Sequence, residues 1–589
     1  MRRGEFGIAF GGLREAWGLI RPYFVSSEER WSARGLLAAV IGLNLILTAL
    51  NVEYTYFTKY IYDALQDYNL AAFLKLMFTY DRVPAFPYFM PGFVSYVIVL
   101  IVVSVYALYL NQILQIRWRR WMTNDFSARW LDGRAHYALS LANQGIVGVD
   151  NPDQRISDDL NDFTTNALSL GLDLLSNVVT LLSFITVLFA ISGSIKIFGV
   201  TIPGYMVWLA LIYSAGGTVI THLIGRRLIW LNFNQQRVEA NFRYSLIRVR
   251  ENPEAIALSG GEAEELVGLR ERFTDVWENF WLIMRRTKLL GFFTSGFGTI
   301  AGNFALLAAS PRYFAHTLQL GGLLQLGQVF GNVQSPMSWI VNSYPNLVAL
   351  SATTARLHSF SQAVAAAREA ATTGPQRHDG GTALSLSNLT LTLPGGRTLV
   401  ENASLTLPPG APIFLTGPSG AGKSTLMRAI AGIWPHGEGT VSCPEGRVLF
   451  LPQRPYFPLG ALKRAITYPD APDATQDDKI IEALQAVELA DLATRLHDTE
   501  NWGQVLSGGE QQRLSLARAV IAQPDWLFLD EALSALDDPL AEKMQAMLAA
   551  RLPKTTVVAI THRDRLGAKH RHISLAGGAL TEHPRLAAE

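Results

Sequence analysis

The sequence predicts two architectures in one chain: an α-helical membrane bundle over residues 31–362 and an α/β domain with a parallel-sheet core over 383–589. Three observations predict this. Six apolar stretches of about twenty residues, the length that crosses a hydrocarbon core of ~30 Å, fall in the first part. Near Ser361 the composition turns to Ala, Thr, Gly, Pro and Asp without long apolar runs. Beyond it, short strand patterns alternate with helical ones, as in a parallel sheet with crossover helices.

The bulk numbers fit that division. The chain has 589 residues, enough for two to four domains. It is 49% hydrophobic and 17% charged, where an average soluble domain carries about a quarter charged residues. A net charge of +1 gives no overall attraction for nucleic acid. The single cysteine, Cys443, excludes an internal disulfide and a cysteine-based zinc site. The start, Met1-Arg2-Arg3, is followed by a short glycine-rich run that meets Arg14 and Glu15. It reads as a positive cytoplasmic end rather than a cleavable signal.

The elements follow in order. Residues 1–30 hold an amphipathic elbow helix for the membrane surface, with Leu13, Trp17, Ile20 and Phe24 beside Arg14, Glu15 and Arg21. The expected spans are 36–56, 93–114, 168–191, 202–224, 289–311 and 323–348, the last interrupted by Asn332, Gln334, Pro336 and Asn342. The loop after the second span carries Arg117, Arg119, Arg120, Arg129 and Arg134. That after the fourth carries Arg226, Arg227, Arg237, Arg243, Arg248 and Arg250. Basic loops stay cytoplasmic, so both termini and both long loops are expected there. Their helical periodicity extends the spans beyond the bilayer. A linker is expected at 363–382.

Among ionisable residues in the spans, Glu53, Asp173 and His222 all sit near expected ends, where water contact accounts for them. Glu53 is the best candidate of the three for a cargo path. The cluster Tyr54, Tyr56, Phe57, Tyr60 and Tyr62 reads as an interfacial belt.

The second domain carries the chemistry. A buried strand, Ile413 to Thr416, leads into Gly417-Pro418-Ser419-Gly420-Ala421-Gly422-Lys423-Ser424-Thr425 and then a helix. This is the phosphate-cradling P-loop in its strand–loop–helix setting. The glycines let backbone N–H groups curl round phosphates, and the helix N-terminus adds favourable partial charge. Lys423 is expected on the β- and γ-phosphates of ATP, and Ser424 on Mg²⁺. A second strand, Trp526 to Leu529, ends in Asp530-Glu531. Carboxylates at a strand's C-terminal end face the ligand crevice of a parallel sheet. Asp530 is expected on Mg²⁺, and Glu531 on the attacking water.

Between these lies Leu506-Ser507-Gly508-Gly509-Glu510-Gln511-Gln512-Arg513, which opens a helix and resembles the signature of the ABC ATPases. Gln453 after a strand, Ser534-Ala535-Leu536-Asp537 and His562 complete the resemblance over about 384–580. It implies an ATPase coupled to transport, with two ATPs held between the P-loop of one subunit and Ser507, Gly508 and Gly509 of another. It implies that Gln453 links Mg²⁺ to the membrane domain and that His562 contacts the γ-phosphate. The chain departs from the pattern near Leu393, where many relatives place an adenine-stacking aromatic.

The membrane half is similar to the SbmA/BacA-related and subfamily D ABC transporters. The resemblance rests on 115–121, Asn151-Pro152-Asp153-Gln154-Arg155-Ile156, 239–243 and 250–257, and in the ATPase half on Trp434-Pro435 and 452–456. It implies an exporter-type fold and a homodimer in a bacterial inner membrane, with the ATPase domain in the cytoplasm. Tyr60–Gln66 resembles SbmA and favours uptake of peptides or hydrophilic compounds such as cobalamin. The alternatives are long-chain fatty acids or acyl-CoA, export, or an ATP-gated channel. Finally, Leu258-Ser259-Gly260-Gly261-Glu262 repeats five signature residues without a P-loop before it, and is expected to be a helix–turn.

Overall fold

A computed structural model describes residues 3–79, 81–82, 89–90, 92–142, 151–197, 200–337, 339–371, 374–561 and 570–583. The chain forms two compact units, Met1–Asp125 with Asp153–His358, and Phe126–Pro152 with Ser359–Glu589.

The first unit is helical. Its elements are α1 (Arg3–Val25), α2 (Arg30–Gln66), α3 (Leu70–Phe78), α4 (Phe93–Leu131), and, past the helix α5 (Ala135–Ala142), the single turn α6 (Pro152–Gln154) and α7 (Leu160–Ser192). Then come α8 (Tyr205–Glu251), α9 (Pro253–Ser259), α10 (Glu262–Phe314), α11 (Leu320–Met337) and α12 (Trp339–Ala371). Two small hairpins, β1 (Asp81–Arg82) with β2 (Phe89–Met90) and β3 (Ser194–Ile197) with β4 (Val200–Pro203), join helices. Helices α4 and α12 run on into the second unit.

Five stretches among the described residues are long and apolar enough to cross a membrane: Arg30–Gln66, Phe93–Leu141, Pro152–Ser192, Tyr205–Glu251 and Glu262–Phe314. They match the first five expected spans. The sixth expected segment falls in α11 and α12, which carry Pro336 and Pro345 inside them.

Small side chains let these helices approach closely. Ala210, Ala305 and Ala309 are fully buried and admit Phe184, Leu188 and Phe330 between α7, α8, α10 and α11. Tyr213 stacks on Phe297 at 4.1 Å and donates to its carbonyl at 2.6 Å. Buried Asn279 joins α10 to α8, donating to the Leu231 carbonyl at 2.9 Å and to Gln235 Oε1 at 2.8 Å. Tyr54, Phe57, Phe93 and Tyr96 form one aromatic cluster between α2 and α4. Buried Asp159 accepts two bonds from Arg356, at 2.9 and 2.6 Å, and one from Arg155 at 2.8 Å. A buried carboxylate is tolerable only when it is so paired.

The second unit is α/β. Its strands are β5 (Gln376–Gly381), β6 (Leu384–Thr392), β7 (Thr398–Leu407), β8 (Ile413–Thr416), β9 (Gly437–Pro444), β10 (Val448–Leu451), β11 (Gly460–Ala461), β12 (Thr499–Glu500), β13 (Trp526–Asp530), β14 (Thr556–Ile560), β15 (Arg571–Ala576) and β16 (Ala579–His583). Its helices are the ends of α4 and α12, α5, α13 (Lys423–Ile430), α14 (Leu462–Thr467), α15 (Asp477–Ala486), α16 (Trp502–Val505), α17 (Gly508–Ala522) and α18 (Asp538–Arg551). The stretch 363–382 is thus helix to Ala371 and strand from Gln376 to Gly381.

The main sheet has the order β10-β13-β14-β8-β15-β16, parallel except for the β15–β16 hairpin. Its central strands are near-continuous apolar runs, as sheets covered on both faces require. Trp526, Leu527, Phe528 and Leu529 are all buried. A second sheet, β5-β9-β6-β7, is mixed and was not among the expectations from sequence. Its core continues into Tyr137 and Leu141 of α5.

Candidate nucleotide site

The parallel strands β8, β13 and β14 lie side by side with β10, in register at Leu451–Leu529, Asp530–Ile560 and Ile560–Leu415. Their C-terminal ends therefore form one rim. Gln453 follows β10, Asp530 closes β13, residue 561 follows β14, and the P-loop follows β8. Loops beyond strand ends at one sheet edge make the ligand crevice of this architecture.

The P-loop backbone needs glycine where it turns. Gly417 has φ 146° and a Cβ there would lie 2.2 Å from the Leu575 carbonyl oxygen. Gly420 has φ 77° with open space around it. Pro418, Ser419 and Gly420 are exposed, and the Ala421 amide donates to the Pro418 carbonyl at 3.2 Å. Gly422 precedes α13, and Thr425 is buried in its first turn.

Lys423 is 6% exposed, and its Nζ donates to the carbonyls of Gly417 at 2.7 Å and Pro418 at 3.0 Å. The loop therefore encloses a fixed cation. Ser424 Oγ donates to Asp530 Oδ1 at 2.9 Å, joining the two strand ends. Burial raises the Asp530 carboxyl above its ordinary range, opposed by the bond from Ser424. Glu531 has φ 49°, a left-handed conformation that a side chain seldom takes outside functional sites. Its Oε2 accepts from Gln453 Nε2 at 2.8 Å.

The signature begins α17. Ser507 caps the helix, accepting from the Glu510 amide at 3.4 Å, while Glu510 Oε2 accepts from the Ser507 amide and hydroxyl at 2.8 Å each. This reciprocal pairing is a capping box. It holds the Glu510 carboxyl below its usual range. Gly508 and Gly509 lie against Ala535 and Leu536 of the turn after Glu531.

The structure thus pairs Ser424 with Asp530 and Gln453 with Glu531, ties Lys423 to the P-loop carbonyls, and sets Ser507, Gly508 and Gly509 at a separate helix start. His562 lies outside the described residues. The donor set fits a magnesium–triphosphate pair: a buried ammonium, a turn-forming loop of backbone amides, and a hydroxyl bonded to a carboxylate. Among the described residues no group of three or more His, Cys, Asp or Glu could hold a metal alone. Oxygens of the ligand would complete a sphere begun by Ser424 and Asp530, the habit of Mg²⁺ at phosphates.

Three residues escaped the sequence reading. Gln512 is 4% exposed and accepts from the Ala535 amide at 2.9 Å, while its Nε2 reaches Ser534 Oγ at 3.2 Å and the Glu531 carbonyl at 3.5 Å. It fixes the turn that carries Glu531. Leu393 packs against the core, whereas exposed Arg397 extends its Nη2 to the Gly420 carbonyl at 3.5 Å. Arg134 of the first long loop donates to the carbonyls after α13. Only charge marked the arginines in the sequence, and charge gives no partner.

The second Leu-Ser-Gly-Gly-Glu stretch has none of this geometry. Ser259 ends α9, Gly260 turns with φ 62°, and Glu262 starts α10. It is the expected helix–turn, with Leu258 81% exposed.

Comparison with known proteins agrees with this arrangement. Residues 19–314 match the family described as ABC transporter transmembrane region 2, and residues 400–534 match the ABC transporter family. An uncharacterized ABC transporter ATP-binding protein of Synechocystis is 36% identical, over 92% of this chain and 80% of its own. The chloroplastic ABC transporter D family member 2 of Arabidopsis thaliana is 32% identical, over 94% and 84%. The human lysosomal cobalamin transporter ABCD4 is 25% identical, over 81% and 83%. The solved structure of a bacterial Atm1-family ABC exporter with ATP bound shares the fold, with a TM-score of 0.69 at 17% identity over 93% of this chain and 95% of that one. The chain is therefore a member of the ABC transporter family, a half-transporter that joins an exporter-type membrane region to an ATPase domain coupled to transport.

Proposed function

We propose that two copies of this chain form a homodimer that uses ATP and Mg²⁺ to carry a peptide or hydrophilic compound inward across a bacterial inner membrane. The observation that carries the ATP-driven part is the hydrogen-bonded set Lys423, Ser424–Asp530 and Gln453–Glu531 on one rim. In this reading the P-loop amides and Lys423 bind the triphosphate, and Ser424 and Asp530 hold the metal. Bound Mg²⁺ neutralises charge on the phosphate oxygens. The Glu531 carboxylate orients the water and takes its proton as the water oxygen bonds to the γ-phosphorus. The bond from that phosphorus to the β–γ bridging oxygen breaks, releasing ADP and phosphate. Gln453, paired with Glu531, links the Mg²⁺ site to the membrane domain. Ser507, Gly508 and Gly509 close over the partner's nucleotide, and His562 contacts the γ-phosphate. Exposed Arg397, beside Gly420, supplies the adenine contact that Leu393 cannot.

The inward direction and the peptide or cobalamin-like cargo rest on the SbmA/BacA-like stretches of the sequence and on the cobalamin transporter among the relatives. A second reading, transport of long-chain fatty acids or their acyl-CoA esters, is favoured by the D-family relatives. ATPase activity in lipid nanodiscs, wild type beside Glu531→Gln, separates them with an antimicrobial peptide, cobalamin and an acyl-CoA added in turn. Stimulation by peptide or cobalamin supports the first reading, and stimulation by acyl-CoA alone replaces it with the second. Hydrolysis undiminished in Glu531→Gln removes that residue as base.

A further inference from the structure

The first expected span begins at Leu36 of α2 and the second ends at Leu114 of α4. Just outside both, the two helices meet. Arg117 Nη1 of α4 donates to Ser32 Oγ of α2 at 2.8 Å, which sets these residues at one level. Lipid headgroups lie at that depth, directly beyond the hydrocarbon core.

Helix α1 joins the same junction. In the turn from α1 to α2, Ser27 Oγ donates to the Tyr23 carbonyl at 2.6 Å, and Arg34 Nε donates to the Phe24 carbonyl at 2.7 Å. Arg120 Nη2 of α4 donates to Glu29 Oε1 of that turn at 2.6 Å. Packed aromatic rings hold the three helices together. Tyr23 and Trp118 are buried and stacked with centroids 6.1 Å apart, and buried Phe163 meets Trp118 edge-on at 5.7 Å. Burial, with Glu29 adding to it, pushes the Tyr23 phenol up to about 12 against the opposing charges of Arg117 and Arg120. The phenol is therefore neutral near pH ~7 and adds no negative charge beneath the arginines.

The surface of this junction holds an excess of cations. Residues 26–34 and 117–120 contain five arginines against two glutamates. Arg34, Arg117 and Arg120 are exposed, and each uses one nitrogen of its fork in the bonds above. Trp31 is exposed, with the Arg34 guanidinium 5.2 Å from its ring centroid. Exposed tryptophans beside arginines mark the headgroup layer. A guanidinium fork matches the paired oxygens of a phosphate group. Positive flanks of membrane spans account for arginines at this depth, but not for three from two helices gathered round one turn.

We propose that the α1–α2–α4 junction is a specific binding site for an anionic phospholipid, with Arg34, Arg117 and Arg120 on its phosphodiester and Trp31 beside it. The site is independent of the cargo and of the ATP site.

The test is native mass spectrometry of the full chain released from detergent micelles, titrated with phosphatidylglycerol or phosphatidylcholine. The wild type is expected to hold one phosphatidylglycerol per chain at least about tenfold more tightly than phosphatidylcholine. Arg117→Gln combined with Arg120→Gln should lower phosphatidylglycerol affinity about twentyfold, at roughly fivefold per arginine, and leave phosphatidylcholine binding unchanged. Arg226 and Arg227 are exposed arginines of α8 just past the fourth expected span. Arg226→Gln combined with Arg227→Gln removes equal charge at like depth and should change that affinity by less than about twofold. No preference in the wild type overturns the proposal. So does an equal loss in the two double variants, which would make bulk charge the whole effect. Inorganic phosphate in millimolar excess should leave the lipid bound; displacement would make this a site for free phosphate and overturn the lipid assignment. Should the first double variant fail to fold, Arg117→Gln alone serves. A loss near fivefold supports the proposal, and an undiminished affinity overturns it.

Discussion

Two glycines three residues apart in the P-loop are expected to respond very differently to one methyl group. At Gly417 an added Cβ would stand 2.2 Å from the Leu575 carbonyl oxygen, on a backbone at φ 146°. That oxygen belongs to β15, which is hydrogen-bonded to β8 on one side and β16 on the other, so it cannot swing away. Overpacking of this kind costs roughly 1–3 kcal/mol, and the positive φ a further 1–3 kcal/mol or so. Gly417→Ala should thus lose about 4 kcal/mol. At Gly420 the φ is 77° and nothing lies within 4 Å of the added carbon, so only the conformational term remains. Gly420→Ala should lose about 1 kcal/mol. For a domain of this size each kcal/mol lowers the midpoint by about 2–4 °C, giving roughly 8–16 °C for the first variant and 2–4 °C for the second. Thermal unfolding of both in nanodiscs at one scan rate reads the difference directly. Equal shifts, or a larger one for Gly420→Ala, would refute the view that β15 jams the entry to the loop.

Three further outcomes follow from the same geometry. Lys423→Ala removes the buried ammonium and should weaken ATP binding about a hundredfold, read by fluorescent-ATP titration; unchanged affinity would count against the P-loop assignment. Arg397→Ala should raise KM for ATP about two- to fivefold with kcat unchanged, and leave tripolyphosphate binding alone, if the guanidinium meets adenine. Glu510→Ala breaks the capping box of α17 and should cost about 1 kcal/mol near neutral pH. Because Ser507 holds the Glu510 carboxyl low, its contribution is present above the ordinary glutamate range and fades as pH falls through the depressed value. The gap in melting temperature between wild type and Glu510→Ala should therefore close on acidification, and a gap constant with pH would contradict that origin.

What could be read in advance depended on how local each feature is. The P-loop was legible because a strand, a glycine-rich turn and a helix start are adjacent in sequence. Ser424 and Asp530 could be singled out from their places after β8 and at the end of β13, but their 2.9 Å bond required those strands to be set one strand apart. The second sheet was missed because β5 pairs with β9, more than fifty residues on, and polar strands such as Gln376–Gly381 carry no apolar alternation. The first five spans were legible from hydropathy; the sixth expected segment, around Pro336 and Pro345 in α11 and α12, is not among the stretches of the described residues that meet that measure. Arg134 could not have been singled out. It was one of five arginines in its loop, and only the fold shows which one meets Ala431 and Gly432.

The two copies of Leu-Ser-Gly-Gly-Glu state the physical lesson most sharply. In the first, Ser507 is extended at ψ 159° and its hydroxyl serves the Glu510 amide, so the pentapeptide opens a helix of fifteen residues. In the second, Ser259 is the last helical residue, its hydroxyl donates back to the Ala255 carbonyl at 2.7 Å, and Gly260 terminates α9 in a left-handed turn. Serine and glycine serve either end of a helix: serine as a cap or a back-bonding residue, glycine as a permissive turn. What decides is the flanking chain. Leu506 is buried before the first copy, and the run Leu514, Leu516, Ala517 and Ala519 after it is buried, which draws the helix forward into the core. Leu258 is 81% exposed, and the second copy bridges two helices: its Ser259 ends α9 and its Glu262 opens α10 after Gly261. The same five residues thus form the capped start of one helix in one place and the turn between two helices in the other.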